Sequence, residues 1–221
     1  LLLFFKKEGA CFLWRLTLAL QAEEPALILA SQSEARAGLL RAAGLGFEAM
    51  PARVDEAAVK EGLRAEGGSA EACAVLLAGM KAERVARRWP GALVIGADQL
   101  LVCEGLWFDK PGNLGEAAEQ LRALRGRAHE LVTAVVCQVG GQRVWQHVAK
   151  PKLVMRDFSE SFLAAYLAAE GEAVCGSVGA YRLEGLGMHL FDSVQGEHSA
   201  ILGLPMTALL GYLRQYGLVL T

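Results

Sequence analysis

The chain has 221 residues, 53% of them hydrophobic and 21% charged, with a net charge of −2. That balance supports one sizeable packed core and excludes an extended disordered protein. The slightly acidic charge excludes a broad basic face for nucleic acid, so any nucleotide site must be local.

Residues 1–25 hold two lysines and then an apolar stretch that Arg15 interrupts. The stretch is too short to cross a bilayer, and it reads as an upstream extension better than as a targeting signal. Residues 26–221 read as a single domain with no repeat and no linker. The five cysteines, Cys11, Cys73, Cys103, Cys137 and Cys175, form no CxxC pair and no Cys/His cluster. They are expected to be reduced thiols in a cytoplasmic protein, without structural zinc.

Taken in order, ALILA at 26–30 predicts a buried strand. Ser33 then predicts the N-cap of a helix over 34–43, closed by Gly44. A strand, a serine-rich turn and a helix start expose unpaired N–H groups at a positive dipole end, where Arg36 would grip a phosphate. An ordinary cap with a solvated arginine fits the same residues. Residues 47–54 predict a weaker strand, ending in a loop with Asp55 and Glu56. Those acids are read as solvated, or as holding a divalent cation.

Ser69 predicts the cap of a long helix to about residue 88, with Cys73, Leu76, Leu77, Met80 and Val85 as its buried stripe and Lys81 beside them. Pro90-Gly91 delivers the chain into VIGADQLLVCEGLWFDKP at 94–111. There a short strand places Asp98 at its end, a second apolar run follows, and Lys110 sits against Pro111. One carboxylate and one ammonium held in this way suit an anionic substrate attacked by water. Beyond it come a helix over 114–124, a strand over 130–139, a Gly140-Gly141 hairpin and a return strand over 142–149. A helix over 159–169, a glycine-rich stretch over 176–187 with Glu184 as its polar handle, a short strand over 201–204 and a last helix after Pro205 complete the chain. His129 at a strand entrance would donate to substrate or, more ordinarily, serve the structure. The element order predicts a mixed α/β (α+β) fold.

LILASQSEAR at 27–36, VDE at 54–56, Lys81-Ala82, VIGADQ at 94–99, DKP at 109–111, GRAHELVT at 126–133, GAYRLEGLG at 179–187 and ILGLP at 201–205 occur here in one order. By these motifs the chain resembles the Maf family of nucleoside triphosphate pyrophosphatases over nearly everything beyond residue 25. The resemblance implies a twisted mixed sheet flanked by helices, in two lobes with the site in the cleft between them. It implies hydrolysis between the α and β phosphates of a nucleoside triphosphate, a divalent cation (Mg, Mn or Co), and a homodimer. It implies Asp98 as the proton acceptor, Ser33 and Arg36 as the phosphate turn, and Glu56, Lys81 and Lys110 as further polar site residues, with Glu56 and Asp98 as metal ligands.

Within the family, the branch acting on dTTP and UTP usually has Thr after the catalytic Asp and Gln in the glycine-rich loop. This chain has Gln99 and Glu184. Both resemble the branch that prefers modified nucleotides such as 7-methyl-GTP. A carboxylate at Glu184 would accept from the N1–H and 2-amino edge of guanine. Ala35 departs from both patterns, because that position usually holds an arginine or a large aromatic. The expected substrate is therefore a modified purine triphosphate. A pyrimidine triphosphate, or a nucleotide-binding regulator of cell division without turnover, is the alternative.

Overall fold

The computed structural model describes residues 20–221. Two long strands organise it, β3 (Leu93–Cys103) and β5 (Ala128–Val139), and almost every residue of both is buried. Continuous burial of this kind needs cover on both faces, which explains their unbroken apolar runs. They pair antiparallel, with Asp98 opposite Ala134. Strand β1 (Leu27–Leu29) lies parallel to the first part of β3, through Leu27↔Leu93 and Leu29↔Ile95, and β2 (Glu48–Ala49) is parallel to β1. Strand β4 (Leu106–Phe108) is antiparallel to the last part of β3, through Leu101↔Phe108 and Cys103↔Leu106. On the far edge of β5 lie β6 (Gln142–Ala149) and β7 (Lys152–Met155), and β7 pairs with β8 (Phe191–Gln195). The mixed α/β expectation holds: eight strands form one mixed sheet.

Helix α1 (Glu34–Ala42) follows β1. Helices α2 (Glu56–Ala65) and α3 (Ala70–Ala86) precede β3, and α4 (Leu114–Leu124) precedes β5. After β7 come α5 (Glu160–Glu170), three short 3-10 turns across the glycine-rich stretch, and, beyond β8, α6 (His198–Ile201) and α7 (Met206–Gln215). Ser33 and Ser69 each accept from a backbone N–H one turn on, as their sequence positions anticipate, and Ser159, read from sequence as helical, caps α5 in the same way.

The alternation of β3 shows how the lobes arise. Leu93, Ile95 and Ala97 join a cluster with α1 and α7, whereas Leu101 and Cys103 join a second cluster with α4, α5 and the 3-10 turns. These residues share one face of the strand, so Gln99 falls at the seam between the two clusters. On the opposite face, Val94 and Leu100 meet apolar residues of α3.

Several expectations need correction. Strand β3 is one strand of 11 residues, so Asp98 lies in its middle and not at a strand end. Residues 55 and 56 are not in a loop: Asp55 caps α2 by accepting from the Ala58 N–H, and Glu56 is its first residue. Only Glu48–Ala49 of the 47–54 segment is strand, and both residues are exposed. Residues 201–204 form the end of α6 and a turn, with Gly203 at φ +99°, which a strand cannot accommodate. The short strands β4, β7 and β8 carry too few residues to show a period in sequence.

The reading of residues 1–25 as an extension falls mostly outside the described residues. Of those described, Gln21 bridges to Val219, and Ala22 N–H donates to Leu218 O at 2.8 Å. Among the described residues no helix is long and apolar enough to cross a membrane, and Cys73, Cys103, Cys137 and Cys175 are unpaired.

Candidate active site

Strand β3 loses its outer partner between Ile95, where β1 ends, and Leu101, where β4 begins. The chain diverges on either side of that gap, and Asp98 and Gln99 face the crevice it leaves. This is the location at which ligands enter open α/β sheets. The cleft has a volume of about 420 Å³. Most residues singled out from the sequence line it: Ser33, Ala35 and Arg36 from α1 and its cap; Glu56 from α2; Lys81 from α3; Asp98 and Gln99 from β3; Lys110; and Glu184, whereas Asp55 and His129 do not.

At its floor, Lys81 joins two carboxylates. Its Nζ lies 2.6 Å from Asp98 Oδ1 and 2.6 Å from Glu56 Oε1. Lys81 and Asp98 are only 8% and 4% exposed, so neither charge would be tolerated there without the other. Burial pushes the Glu56 carboxyl up. The hydrogen bond and charge of Lys81, with Lys60 and Lys110 behind, outweigh this and hold it below the usual carboxylate range. Asp98 Oδ2 is buried and has no hydrogen-bond partner among the described residues. A buried, orphaned carboxylate oxygen is costly unless a ligand, water or ion completes it.

Arg36 forms one wall. Its Nε donates to Gly203 O at 2.9 Å and its Nη1 to Ser31 Oγ at 3.3 Å, while its backbone N–H donates to Ser33 Oγ at 3.4 Å. Burial lowers the affinity of the guanidinium for its proton, and the charges of Asp98 and Glu56 oppose that. Arg36 is thus a placed side chain and not a solvated one. Lys110 is pushed down by burial and by the nearby Arg36 charge, and it makes no ion pair among the described residues.

The other end of the cleft is more apolar, with Leu131, Val178, Tyr181, Leu183 and Ile201. Glu184 also lines the cleft, its Oε1 3.5 Å from Arg182 Nε. Gln99 is committed to the scaffold: its Nε2 donates to Thr133 Oγ1, Ala200 O and Ile201 O at 2.7, 3.0 and 3.1 Å. His129 lies behind this region, with Nε2 2.9 Å from the Tyr181 hydroxyl, and does not line the cleft, which favours its structural reading.

Sequence reasoning missed Lys60 and the role of Asp109, whose Nζ and Oδ1 are 2.5 Å apart at the cleft edge. It also missed the Thr133 and Tyr181 hydroxyls. The signal for Lys60 was present in the Glu56, Lys60, Arg64 spacing, which puts three charges on one helical stripe.

The donor set bears on a metal. Asp98 and Glu56 offer hard oxygens, one of them orphaned, of the kind Mg²⁺ takes from one or two carboxylates while substrate phosphates complete its shell. Among the described residues no group of three or more His, Cys, Asp or Glu side chains could hold a metal by itself. The residues therefore fit a cation shared with a substrate better than a closed protein site.

Comparison with known proteins identifies the family. A protein 58% identical over 190 residues, covering 86% of this chain and 96% of its own, is a "Nucleoside triphosphate pyrophosphatase" of Granulibacter bethesdensis. Another of that name, from Paramagnetospirillum magneticum, is 53% identical over 86% of this chain and 98% of its own. A "7-methyl-GTP pyrophosphatase" of Rhizobium etli is 46% identical over 88% of this chain and 98% of its own. The profile of the family described as Maf-like protein matches residues 26–216, and this chain belongs to that family.

Proposed function

We propose that this protein hydrolyses nucleoside triphosphates between the α and β phosphates, with modified purines of the 7-methyl-GTP kind as preferred substrates. The names carried by its relatives support the reaction class. The observation that carries the residue assignment is the orphaned Asp98 Oδ2, buried at the floor of a cleft whose walls hold Arg36, Lys81 and Lys110.

In this reading Asp98 Oδ2 orients a water molecule and takes its proton as the water oxygen attacks the α phosphorus. The bond from that phosphorus to the α–β bridging oxygen breaks, and pyrophosphate leaves with the electron pair. Lys81 fixes Asp98 through the other carboxylate oxygen, so the base is oriented before substrate arrives. Lys110 and Arg36 neutralise phosphate oxygens that would repel the attack. A divalent cation held by Asp98 and Glu56 would supply further charge neutralisation. The apolar end takes the base, with Glu184 accepting from a guanine edge.

The test is release of pyrophosphate and monophosphate from a panel of nucleotides with magnesium, manganese or cobalt, run in ¹⁸O-labelled water. Turnover of 7-methyl-GTP above UTP and dTTP is expected, with label only in the monophosphate. Asp98→Asn should lose roughly 10²–10⁴-fold in kcat while still binding nucleotide. No release with any nucleotide and metal, or an Asp98→Asn variant near the wild-type rate, would refute the assignment.

A further inference from the structure

Lys110 owes its free charge to a residue 50 positions earlier in the chain. Helix α2 aligns Glu56, Lys60 and Arg64 on one stripe. Lys60 is 8% exposed, unusual for a lysine, and its Nζ lies 2.5 Å from Asp109 Oδ1. Arg64 Nη2 stands 3.5 Å from the other oxygen of Asp109 and donates to Trp107 O, with its guanidinium 5.1 Å from the Trp107 ring centroid. From the opposite side, Gln120 of α4 donates to Asp109 O at 2.9 Å. The acid of the Asp109-Lys110-Pro111 turn is therefore drawn towards α2, and its backbone is pinned by α4.

The consequence falls on the next residue. Of the cleft cations, Arg36 is bonded to Gly203 O and Ser31, Lys81 to Glu56 and Asp98, and Lys60 to Asp109. The Lys110 ammonium has no such partner among the described residues, although a carboxylate sits on the adjoining residue. Lys110 is influenced by the cations Arg36 and Lys81 and by the acids Glu56 and Asp98. An aspartate released from Lys60 would be the closest anion in sequence and would compete with any incoming polyphosphate.

We propose that Lys60 is a positioning residue that holds Asp109 away from Lys110, leaving the Lys110 ammonium unpaired for an anionic substrate. The substrate half of this inference rests on the pyrophosphatase reading, whereas the pairing half does not.

The experiment therefore uses two readouts. In substrate-free protein, limiting acetic anhydride followed by peptide mass spectrometry measures the reactivity of Lys110. With 7-methyl-GTP, steady-state kinetics separate KM from kcat. Lys60→Met should slow labelling of Lys110 and raise KM, each by about 2–5-fold, with kcat little changed. Lys60→Arg should keep both near wild type. Lys60→Met combined with Asp109→Asn should restore both, because the released acid next to Lys110 is then gone. Where Met disturbs folding, Lys60→Gln gives the same readings, since the half-exposed Asp109 stays hydrated.

Equal labelling of Lys110 in wild type and the Lys60 variant would overturn the proposal. So would a double variant that fails to recover, since Lys60 would then act through its own charge. Wild-type protein that turns over no nucleotide would instead refute the pyrophosphatase reading, and the labelling would still decide whether Lys60 restrains Asp109.

Discussion

Gly96→Ala is the substitution that most directly tests how the site is built. Gly96 and Asp98 are two residues apart on β3, so their side chains leave the same face, the one covered by α3. A Cβ at position 96 would lie 2.1 Å from Ala78 O, 2.8 Å from Ala82 N and 2.9 Å from Ala82 Cβ. The first two are backbone atoms of α3 and cannot rotate away. Since carbon contacts settle near ~3.5 Å, the helix must withdraw by roughly 1 Å. Lys81 lies in that helical turn, and its Nζ now sits 2.6 Å from Asp98 Oδ1. Overpacking of this kind costs about 1–3 kcal/mol. In a chain of this size that corresponds to a fall of roughly 2–12 °C in Tm. A displacement of about 1 Å in a catalytic group can also cost ~10²-fold in rate. Differential scanning calorimetry and kcat measured on the same preparation check both.

Gly38→Ala is the control, because nothing lies within 4 Å of its added Cβ inside α1. It should raise stability by up to ~1 kcal/mol through helix propensity alone, at unchanged rate. If Gly96→Ala matched the wild type in both Tm and kcat, the close approach of α3 to β3 would not be what sets Lys81 against Asp98.

Glu184→Gln should reduce kcat/KM for 7-methyl-GTP by roughly 10-fold relative to UTP, because a neutral amide accepts more weakly from a guanine edge; an unchanged ratio would remove Glu184 from base selection. Burial lowers the His129 pKa to about 4, so the imidazole stays neutral in the folded protein while the unfolded chain takes a proton below about 6.5. That contribution is complete above the unfolded value and is lost as pH falls towards the folded one, by about 3 kcal/mol in total. In urea titrations at pH 7 and pH 4.5, His129→Leu should be less stable at pH 7, where the Tyr181 hydroxyl loses its partner, yet fall less with acid. Parallel losses in the two proteins would contradict the role given to His129.

What could be read from sequence followed physical range. Caps act within one turn, so Ser33 and Ser69 announced their helices. Continuous apolar runs announced β5 and the two halves of β3. The join between those halves was hidden by Asp98 and Gln99, polar residues that β3 tolerates only because Lys81, Thr133 and the α6 carbonyls satisfy them. Helix α2 was hidden for the converse reason. Among its residues only Lys60 is buried, so its apolar stripe is short: Val59 and Leu63 pack partly buried against the cluster under α3, and charge pairing to Lys81 and Asp109 adds to that anchorage. Pairings across tens of residues leave no local period, so the Glu56, Lys60, Arg64 stripe is legible in sequence but the Lys60–Asp109 pairing is not.

The placement of Asp98 also explains why the remaining site residues come from so many segments. A strand with partners on both edges throughout would leave no crevice, and a strand end would be held on one side only. Strand β3 keeps β5 as a continuous partner through Asp98 while its other edge changes from parallel β1 to antiparallel β4. The carboxylate is therefore anchored in the stiffest part of the sheet, where β3 crosses from one apolar cluster to the other. The groups around it project from an N-cap turn at Ser33, the turn at Lys110 and the turn at Glu184. In the proposed reaction a base held in a strand that is paired along its whole other edge would orient the attacking water, while the surrounding turns supply the groups that bind substrate.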